Sequence, residues 1–485
     1  MSHLERVKEI KSTQVILASK KSQFLYLRGR RRVGKSSLLF DLTQKISNSL
    51  LFTGIKDTST EHTLQLFAKA WLKTTGDKTL VDLKKSVLDW PRAFEAVTEY
   101  LNKSDKKLTL FFDEIQWLAK QGNGFIGSLK NAWVIWERTN KVNIIVCGSS
   151  NKFFADHIGG EEKILRGMQT AASIWLQPFS FSEVRTKWLP TWNMQEVGIA
   201  YFMTGGIPYY LQRLDPEFGF IQGINRAFFT EHQNLLEEID EIISLEFNSQ
   251  GQETVKKILA VIGQDGSSQK QIVLKTGFSE GTVSKVTELL VKYRLLFPKI
   301  PAYRKKYQYE DVPRYYMKDF FLNFYHQLLL PYAEQIKGNE KGLLFPYQVG
   351  LSENGYHIPN FTGKAFELFV RQFLELNRGM DKHTTIHKKL KLLSPDYEVI
   401  DYWDKNVQID LIVTSKADRI CRVIECKWSG EYKKSWREEL CKKNITLPDG
   451  FIRMNFLVLG GMHKGVVSGD SLDVEVCEIY LGDFL

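Results

Sequence analysis

The sequence predicts an α/β chain of several domains, and three stretches carry that prediction. Near the N-terminus, FLYLRGRRRVGKSSLLFDL reads as strand, glycine-rich loop and helix. From Glu253 onward, apolar residues at helical spacing mark three helices with a turn between the second and third. Residues 407–415 (VQIDLIVTS) and 420–428 (ICRVIECKW) read as a hairpin of two apolar strands that carry carboxylates. At 485 residues the chain is too long for one hydrophobic core, and length alone suggests roughly three domains.

Composition narrows the class. Hydrophobic content of 43% with 25% charged residues is ordinary for a soluble globular protein. No apolar run approaches the ~18 residues of a membrane helix, and the start, MSHLERVKEIK, lacks a signal peptide's apolar stretch. The five cysteines, at 147, 421, 426, 441 and 477, form no CxxC pair, which argues against a zinc ribbon and a disulfide frame. A reducing cytoplasm with no membrane partner is the simplest reading. Net charge of +10 and a pI near 9.0 lean toward a polyanionic partner.

The first element has the spacing GxxxxGK[ST], with Gly29, then Gly34, Lys35 and Ser36. Glycines let the backbone wrap closely enough for its N–H groups, aided by the helix N-terminus, to point at phosphate oxygens. The cradle is Gly29, Arg30, Arg31, Arg32, Val33, Gly34, Lys35, Ser36 and Ser37. Lys35 reaches the β- and γ-phosphates of ATP and Ser36 binds Mg²⁺. Downstream, LTLFFDEIQWL is an apolar strand ending in Asp113 and Glu114. Asp113 can hold Mg²⁺ through water, and Glu114 can orient or deprotonate the attacking water. A helix-capping Asp-Glu pair is the plain alternative. NIIVCGSSN reads as a further buried strand, whose Ser149, Ser150 or Asn151 can touch the γ-phosphate or simply cap the next turn.

GRRRVGKSSLL, FFDEIQWL, VCGSS, the Arg of ILRGMQ (Arg166) and MTGGIPYYLQRL together resemble the prokaryotic AAA-type ATPases allied to the STAND group. The resemblance implies a lid element at Pro208 near the nucleotide base and a γ-phosphate-sensing or finger role for Arg166. That arginine is followed by glycine, whereas relatives carry the reverse order. A homo-oligomer is also implied.

The three helices resemble a winged helix-turn-helix. Ile272, Leu274, Val283, Val286, Leu289 and Leu290 are its expected core, and Thr282, Ser284, Lys285 and Thr287 its exposed recognition face. Arg304, Lys305 and Lys306 lie between tyrosines as a basic wing would. No arginine stands on the recognition face, so phosphate contact or packing within the chain is favoured over sequence reading.

In the last region, ICRVIECKW places Glu425 and Lys427 on one face of a half-buried strand, with Cys426 on the other. The tripeptide ExK alone says little, since it recurs at Glu9, Glu161 and Glu431. An ion pair remains one reading. The other uses the hairpin, in which Asp410 and Glu425 can converge. Two carboxylates about 4 Å apart repel by ~1–4 kcal/mol at intermediate dielectric, and a divalent cation between them reverses the sign. Lys427 then orients a water or stabilises charge on phosphate. With Glu367 on the preceding amphipathic helix, this resembles the PD-(D/E)xK nuclease superfamily. That resemblance implies Mg²⁺ or Mn²⁺ held by Glu367, Asp410 and Glu425, with Ile409 in place of the motif's proline and Lys442 or Lys443 as a further candidate.

The expected organisation is a P-loop ATPase core (1–177), a helical lid (178–250), a winged helix-turn-helix (251–335) and a restriction-endonuclease-like α/β domain (336–485). The boundaries follow composition shifts near Pro178, at residues 248–253 and between Pro331 and Gly363. The expected partner is nucleic acid, with DNA favoured. The expected activity is ATP hydrolysis coupled to metal-dependent nucleic-acid cleavage; the alternative is an ATP-driven switch whose later domains only bind DNA or protein.

Overall fold

The computed structural model describes residues 6–83, 88–119, 122–156, 172–230, 235–263, 265–302, 313–339, 357–379, 384–428, 433–447, 449–461 and 476–485. Arg166 and the wing residues Arg304, Lys305 and Lys306 lie outside the described residues. The chain divides into two compact units, Met1–Pro178 with Ile207–Tyr209, and Phe179–Gly206 with Tyr210–Leu485.

The first unit is built on five parallel strands: β1 (Gln23–Arg28), β2 (Ser49–Thr53), β3 (Leu108–Asp113), β4 (Val142–Cys147) and β5 (Ala172–Trp175), in the order β2-β3-β4-β1-β5. Their near-continuous apolar runs suit strands covered on both faces, and every residue of β3 and β4 is buried. Alternation divides β1 between two cores. Phe24 and Tyr26 join an aromatic cluster that includes Phe67, Trp71, Trp90, Phe94, Phe112, Phe125 and Trp133. Leu25 and Leu27 face the other way, onto Leu38, Leu39 and Leu42 of the Lys35–Lys45 helix and Ile10 and Leu17 of the Val7–Leu17 helix. Each large side chain so buried contributes about 1.5–3 kcal/mol. The helices on the aromatic face start at side-chain caps, Ser59 to the His62 N–H and Asp89 to the Arg92 N–H.

After short helical segments at Phe181–Glu183 and Val184–Trp188, the second unit continues with the Met194–Thr204 helix, started by a reciprocal Asn193–Glu196 cap and ended at Gly205. Three further helices, Ser249–Ile262, Gln269–Thr276 and Glu280–Lys292, accompany a small antiparallel sheet of β6 (Ser267–Ser268), β7 (Leu296–Lys299) and β8 (Arg314–Met317), in the order β6-β8-β7. At the boundary expected near residues 248–253 one helix ends at Glu246 and the next starts, the Asn248 side chain accepting from the Gly251 N–H. Two side chains face opposite to expectation. Leu274 is 82% exposed: it lies two residues, or about 200°, from the buried Ile272 on the same short helix. Thr287 is buried, since it follows Val283 by four residues and shares its face. Its hydroxyl returns a hydrogen bond to the Val283 carbonyl at 2.8 Å.

The C-terminal part runs helix (His357–Asn377), three antiparallel strands β9 (Glu398–Trp403), β10 (Gln408–Ser415) and β11 (Ile420–Lys427), helix (Lys434–Lys442), and β12 (Ile452–Leu459) and β13 (Val476–Tyr480) parallel to β11. The order is β13-β12-β11-β10-β9. β11 is therefore central and buried on both faces, so Glu425 and Cys426 are both inside, in place of the half-buried strand expected from sequence. Arg422, wholly buried on the same strand, is neutralised by Asp418 at 2.5 Å and by the Leu390 and Lys391 carbonyls.

Candidate functional site

The glycine-rich loop joins β1 to the Lys35–Lys45 helix. A Cβ on Gly29 would sit 2.6 Å from the Leu176 carbonyl oxygen, so no other residue fits there. Gly34 starts the helix at φ 94°, a left-handed conformation that favours glycine. The Lys35 ammonium, buried within the loop, donates to the Gly29 and Arg30 carbonyls at 3.0 Å each. Burial lowers its pKa, while the nearby Asp113 and Glu114 carboxylates pull it back up. These residues form a cradle with a central cation, and their donor set fits a nucleotide triphosphate.

Asp113 ends β3 buried, one oxygen accepting from the Glu114 N–H at 2.9 Å. Burial and the Asp113 charge raise the Cys147 thiol's pKa, so it stays neutral and donates toward that carboxylate. Glu114 adopts φ 47°, an arrangement that costs a non-glycine residue on the order of 1–2 kcal/mol and marks a site held by its surroundings. Its carboxylate accepts from Gln116 Nε2 and, at 3.3 Å, from Ser149 Oγ. Ser150 has the humbler of its two expected roles in view: it accepts from the Phe153 N–H at 3.0 Å and starts a short helix. Ser36 and Ser37 open the helix beyond the loop. Pro208 lies against the loop, its Cγ 3.8 Å from where a Cβ on Gly34 would be. The Arg32 guanidinium covers the Tyr209 ring at 3.9 Å.

Sequence reading missed Arg6. It reaches across 27 residues to the Val33 carbonyl at 2.9 Å and across 171 to the Gln177 carbonyl at 2.8 Å, bracing the loop from behind. Nothing local in the sequence signals such contacts. Gln116 was likewise visible only as part of a strand-end motif.

In the C-terminal sheet, Leu411 stands opposite Ile424, a register that brings Asp410 level with Glu425. A bulge in β10 between Ile409 and Ile412 falls at Asp410 and re-aims side chains as bulges beside sites do. Asp410 Oδ2 accepts from the Cys426 N–H at 2.8 Å. Glu425, almost fully buried, takes Lys443 at 2.5 Å on one oxygen and Lys427 at 3.4 Å on the other. Lys443 also donates to the Gln408 carbonyl at 2.8 Å, so of the two expected lysine candidates it is the one that reaches the cluster. Glu367 is paired with Lys364 at 3.1 Å. Burial, then the Asp410 charge, pushes the Glu367 carboxyl up to about 7 and raises Glu425 also.

The expected metal set of Glu367, Asp410 and Glu425 meets lysine partners in this structure. Among the described residues, no group of three or more His, Cys, Asp or Glu side chains is arranged to hold a metal ion. Lysine ammoniums sit against Glu367 and Glu425.

Immediately after Lys427, the Trp428 ring is wedged between two glycines. A Cβ on Gly198 of the Met194–Thr204 helix would lie 2.5 Å from Trp428 Cη2, and one on Gly460 would lie 2.3 Å from Cε3. Phe202 and Phe366 meet the same ring edge-on at 5.0 and 5.2 Å.

Comparison with known proteins agrees with the first of these sites. Residues 3–214 match the model of an ATPase domain found predominantly in Archaea. Residues 348–439, which include Glu367, Asp410, Glu425 and Lys427 but not Lys443, match a model described as archaeal and bacterial proteins of unknown function. An uncharacterized protein of Methanocaldococcus jannaschii is 22% identical over 474 residues, covering 97% of this chain and 98% of that one. Among solved structures, a Walker-type ATPase of Pyrococcus abyssi is similar at 18% identity over 67% of this chain and 96% of that one, with a TM-score of 0.49. The ORC2 protein of Aeropyrum pernix, in ADPNP–ADP complexes, is similar at 10% identity over 70% and 95% of the two chains, with a TM-score of 0.42. Among the described residues no helix is long and apolar enough to cross a membrane. The N-terminal region of this chain is a P-loop ATPase domain.

Proposed function

We propose that the chain is an ATP-driven switch whose later domains bind nucleic acid, with DNA favoured, in a manner set by the nucleotide. Bound Mg·ATP supplies the phosphoryl group and the charge that the loop recognises. Lys35 neutralises phosphate oxygens, and the N–H groups of the loop from Arg30 to Ser37 bind them. Ser36 and Asp113 are the residues that would hold the Mg²⁺. Glu114 holds the attacking water and takes its proton, with Gln116 and Ser149 fixing its carboxylate meanwhile. Pro208 and Arg32 shape the wall beside the loop.

The single observation that carries the coupling is the wedged Trp428. The helix it grips, Met194–Thr204, runs directly into Gly205-Gly206-Ile207-Pro208, whose last residue lies on the phosphate loop. A shift of that helix with nucleotide state would move Trp428 and, one residue away, Lys427. Interlocked rings and backbone transmit such shifts because packed interiors deform little.

A second reading, metal-dependent cleavage by a PD-(D/E)xK-type domain, has two observations in its favour: the helix–three strands–helix–strand order, and the mutual repulsion of Glu367, Asp410 and Glu425. The test is incubation of labelled single- and double-stranded DNA and RNA with Mg²⁺ or Mn²⁺, with and without ATP. The switch reading expects no cutting while ATP hydrolysis continues. Cutting that disappears with Glu425→Ala establishes the second reading in its place.

A further inference from the structure

Two glycines, Gly54 and Gly148, border Glu114 at the ends of strands beside β3. Neither has the positive φ that usually calls for glycine. What each position lacks is room for a side chain, and in both cases the space is taken by the surroundings of Glu114.

Gly54 follows β2, and its N–H donates to the Asp113 carbonyl at 2.9 Å. A Cβ there would lie 2.6 Å from the Glu114 carbonyl oxygen and 3.0 Å from Leu118 Cγ. That carbonyl accepts from the Trp117 N–H at 2.9 Å, and the Glu114 N–H is held by Asp113. Both polar ends of this left-handed residue are therefore engaged, and its oxygen cannot easily turn aside. Gly148 follows β4, and its N–H donates to the carbonyl of Leu27, on the strand that feeds the phosphate loop. A Cβ on Gly148 would lie 2.6 Å from Gln116 Oε1, with Ile115 Cγ2 and Phe154 Cε2 each at 3.2 Å. The other end of that amide, Gln116 Nε2, donates to the Glu114 carboxylate. Ser149, next in the chain to Gly148, holds the second carboxylate oxygen at 3.3 Å.

We infer that Gly54 and Gly148 are positioning residues for ATP hydrolysis: Gly54 sets the backbone of Glu114, and Gly148 aims its carboxylate through Gln116. The inference rests on the reading of Glu114 as the base for the attacking water. A base acts only within hydrogen-bond reach of the proton it takes, and a displacement of about 1 Å can cost ~100-fold in rate. The two positions differ in how they would fail. A methyl group at Gly54 meets a backbone oxygen, whereas one at Gly148 meets the end of a side chain, which swings away and releases Glu114.

The test measures steady-state ATP hydrolysis, and equilibrium binding of a non-hydrolysable ATP analogue, on the full chain. Gly148→Ala and Gln116→Ala should each lower kcat by about tenfold or more, and Gly54→Ala at least as much. Analogue affinity should stay within about twofold in all three, since ground-state binding does not use the base. Because Gly148→Ala and Gln116→Ala break one contact, Gly148→Ala should cost less than about twofold once Gln116→Ala is present. Gln116→Ala, which only removes atoms, decides the case should a glycine variant not fold. Wild-type or raised kcat in Gln116→Ala overturns the inference. So does a matching loss of analogue affinity, or a Gly148→Ala effect undiminished in the Gln116→Ala background. Glu114→Gln separates this inference from the reading beneath it. Hydrolysis lost there but kept in Gln116→Ala defeats the positioning role alone, and hydrolysis kept in Glu114→Gln defeats the base itself.

Discussion

Gly198→Ala should destabilise the second unit, although alanine is the better helix residue. In a free helix the change gains roughly 0.5–1 kcal/mol. Here the new Cβ would lie 2.5 Å from Trp428 Cη2, and the ring cannot slide away, because its other edge is stopped by Gly460 at a would-be 2.3 Å. Phe202 and Phe366 close the sides. Overpacking of this kind costs about 1–3 kcal/mol, so the net loss is on the order of 0.5–2 kcal/mol. Trp428→Leu removes the obstruction, and in that background Gly198→Ala should become neutral or stabilising. The difference between backgrounds, roughly 1–3 kcal/mol, is the coupling that a double-mutant cycle isolates. Calorimetric unfolding of the four chains measures it as a shift of a few degrees in Tm. Equal effects of Gly198→Ala in both backgrounds would refute the wedge.

Other expectations follow from single contacts. Gly29→Ala should abolish nucleotide binding in an equilibrium assay, because its Cβ meets the backbone oxygen of Leu176, which cannot turn aside. Lys443→Ala should lower stability by about 1–3 kcal/mol, since it leaves buried Glu425 with only the longer Lys427 contact; adding Glu425→Gln should recover part of the loss. His326, whose buried ring nitrogens have no hydrogen-bond partner among the described residues, has its pKa pushed down by burial to about 4 from 6.5. Its folded pKa is the lower one, so the unfolded chain takes up the proton first. Stability should be full above about pH 6.5, fall as pH drops toward 4 and level off below, a change of roughly 3 kcal/mol. Urea midpoints across that range should show the slope, and His326→Phe should flatten it.

What the sequence disclosed is what chemistry demands at short spacing. Gly34, Lys35 and Ser36 are neighbours, Asp113 and Glu114 end one apolar strand, and Asp410 and Glu425 sit on strands joined by a tight turn, so each group was legible locally. The rest depends on partners far apart in the chain. Arg6 braces the loop across 171 residues, and Trp428 needs Gly198 and Gly460 at once. Polarity misled where periodicity would have served: Thr287 was placed outside though it shares a face with Val283, and Leu274 inside though it opposes Ile272. Of the lysines on the carboxylate cluster, Lys427 and Lys443 were among the expected candidates and Lys364 was not. Lys364 precedes its partner Glu367 by three residues on one helix, whereas Lys443 follows Glu425 by 18, and only the fold decides whether such a carboxylate meets an ammonium or a metal.

The central claim, that nucleotide state governs nucleic-acid binding through Trp428, is tested most directly by fluorescence anisotropy of labelled DNA. The protein is titrated with ADP and with a non-hydrolysable ATP analogue, as wild type and as Trp428→Ala. Affinity should differ between the two nucleotides in the wild type, and the difference should vanish in Trp428→Ala while ATP binding persists. An affinity indifferent to nucleotide, or a nucleotide effect that survives loss of the ring, would contradict it.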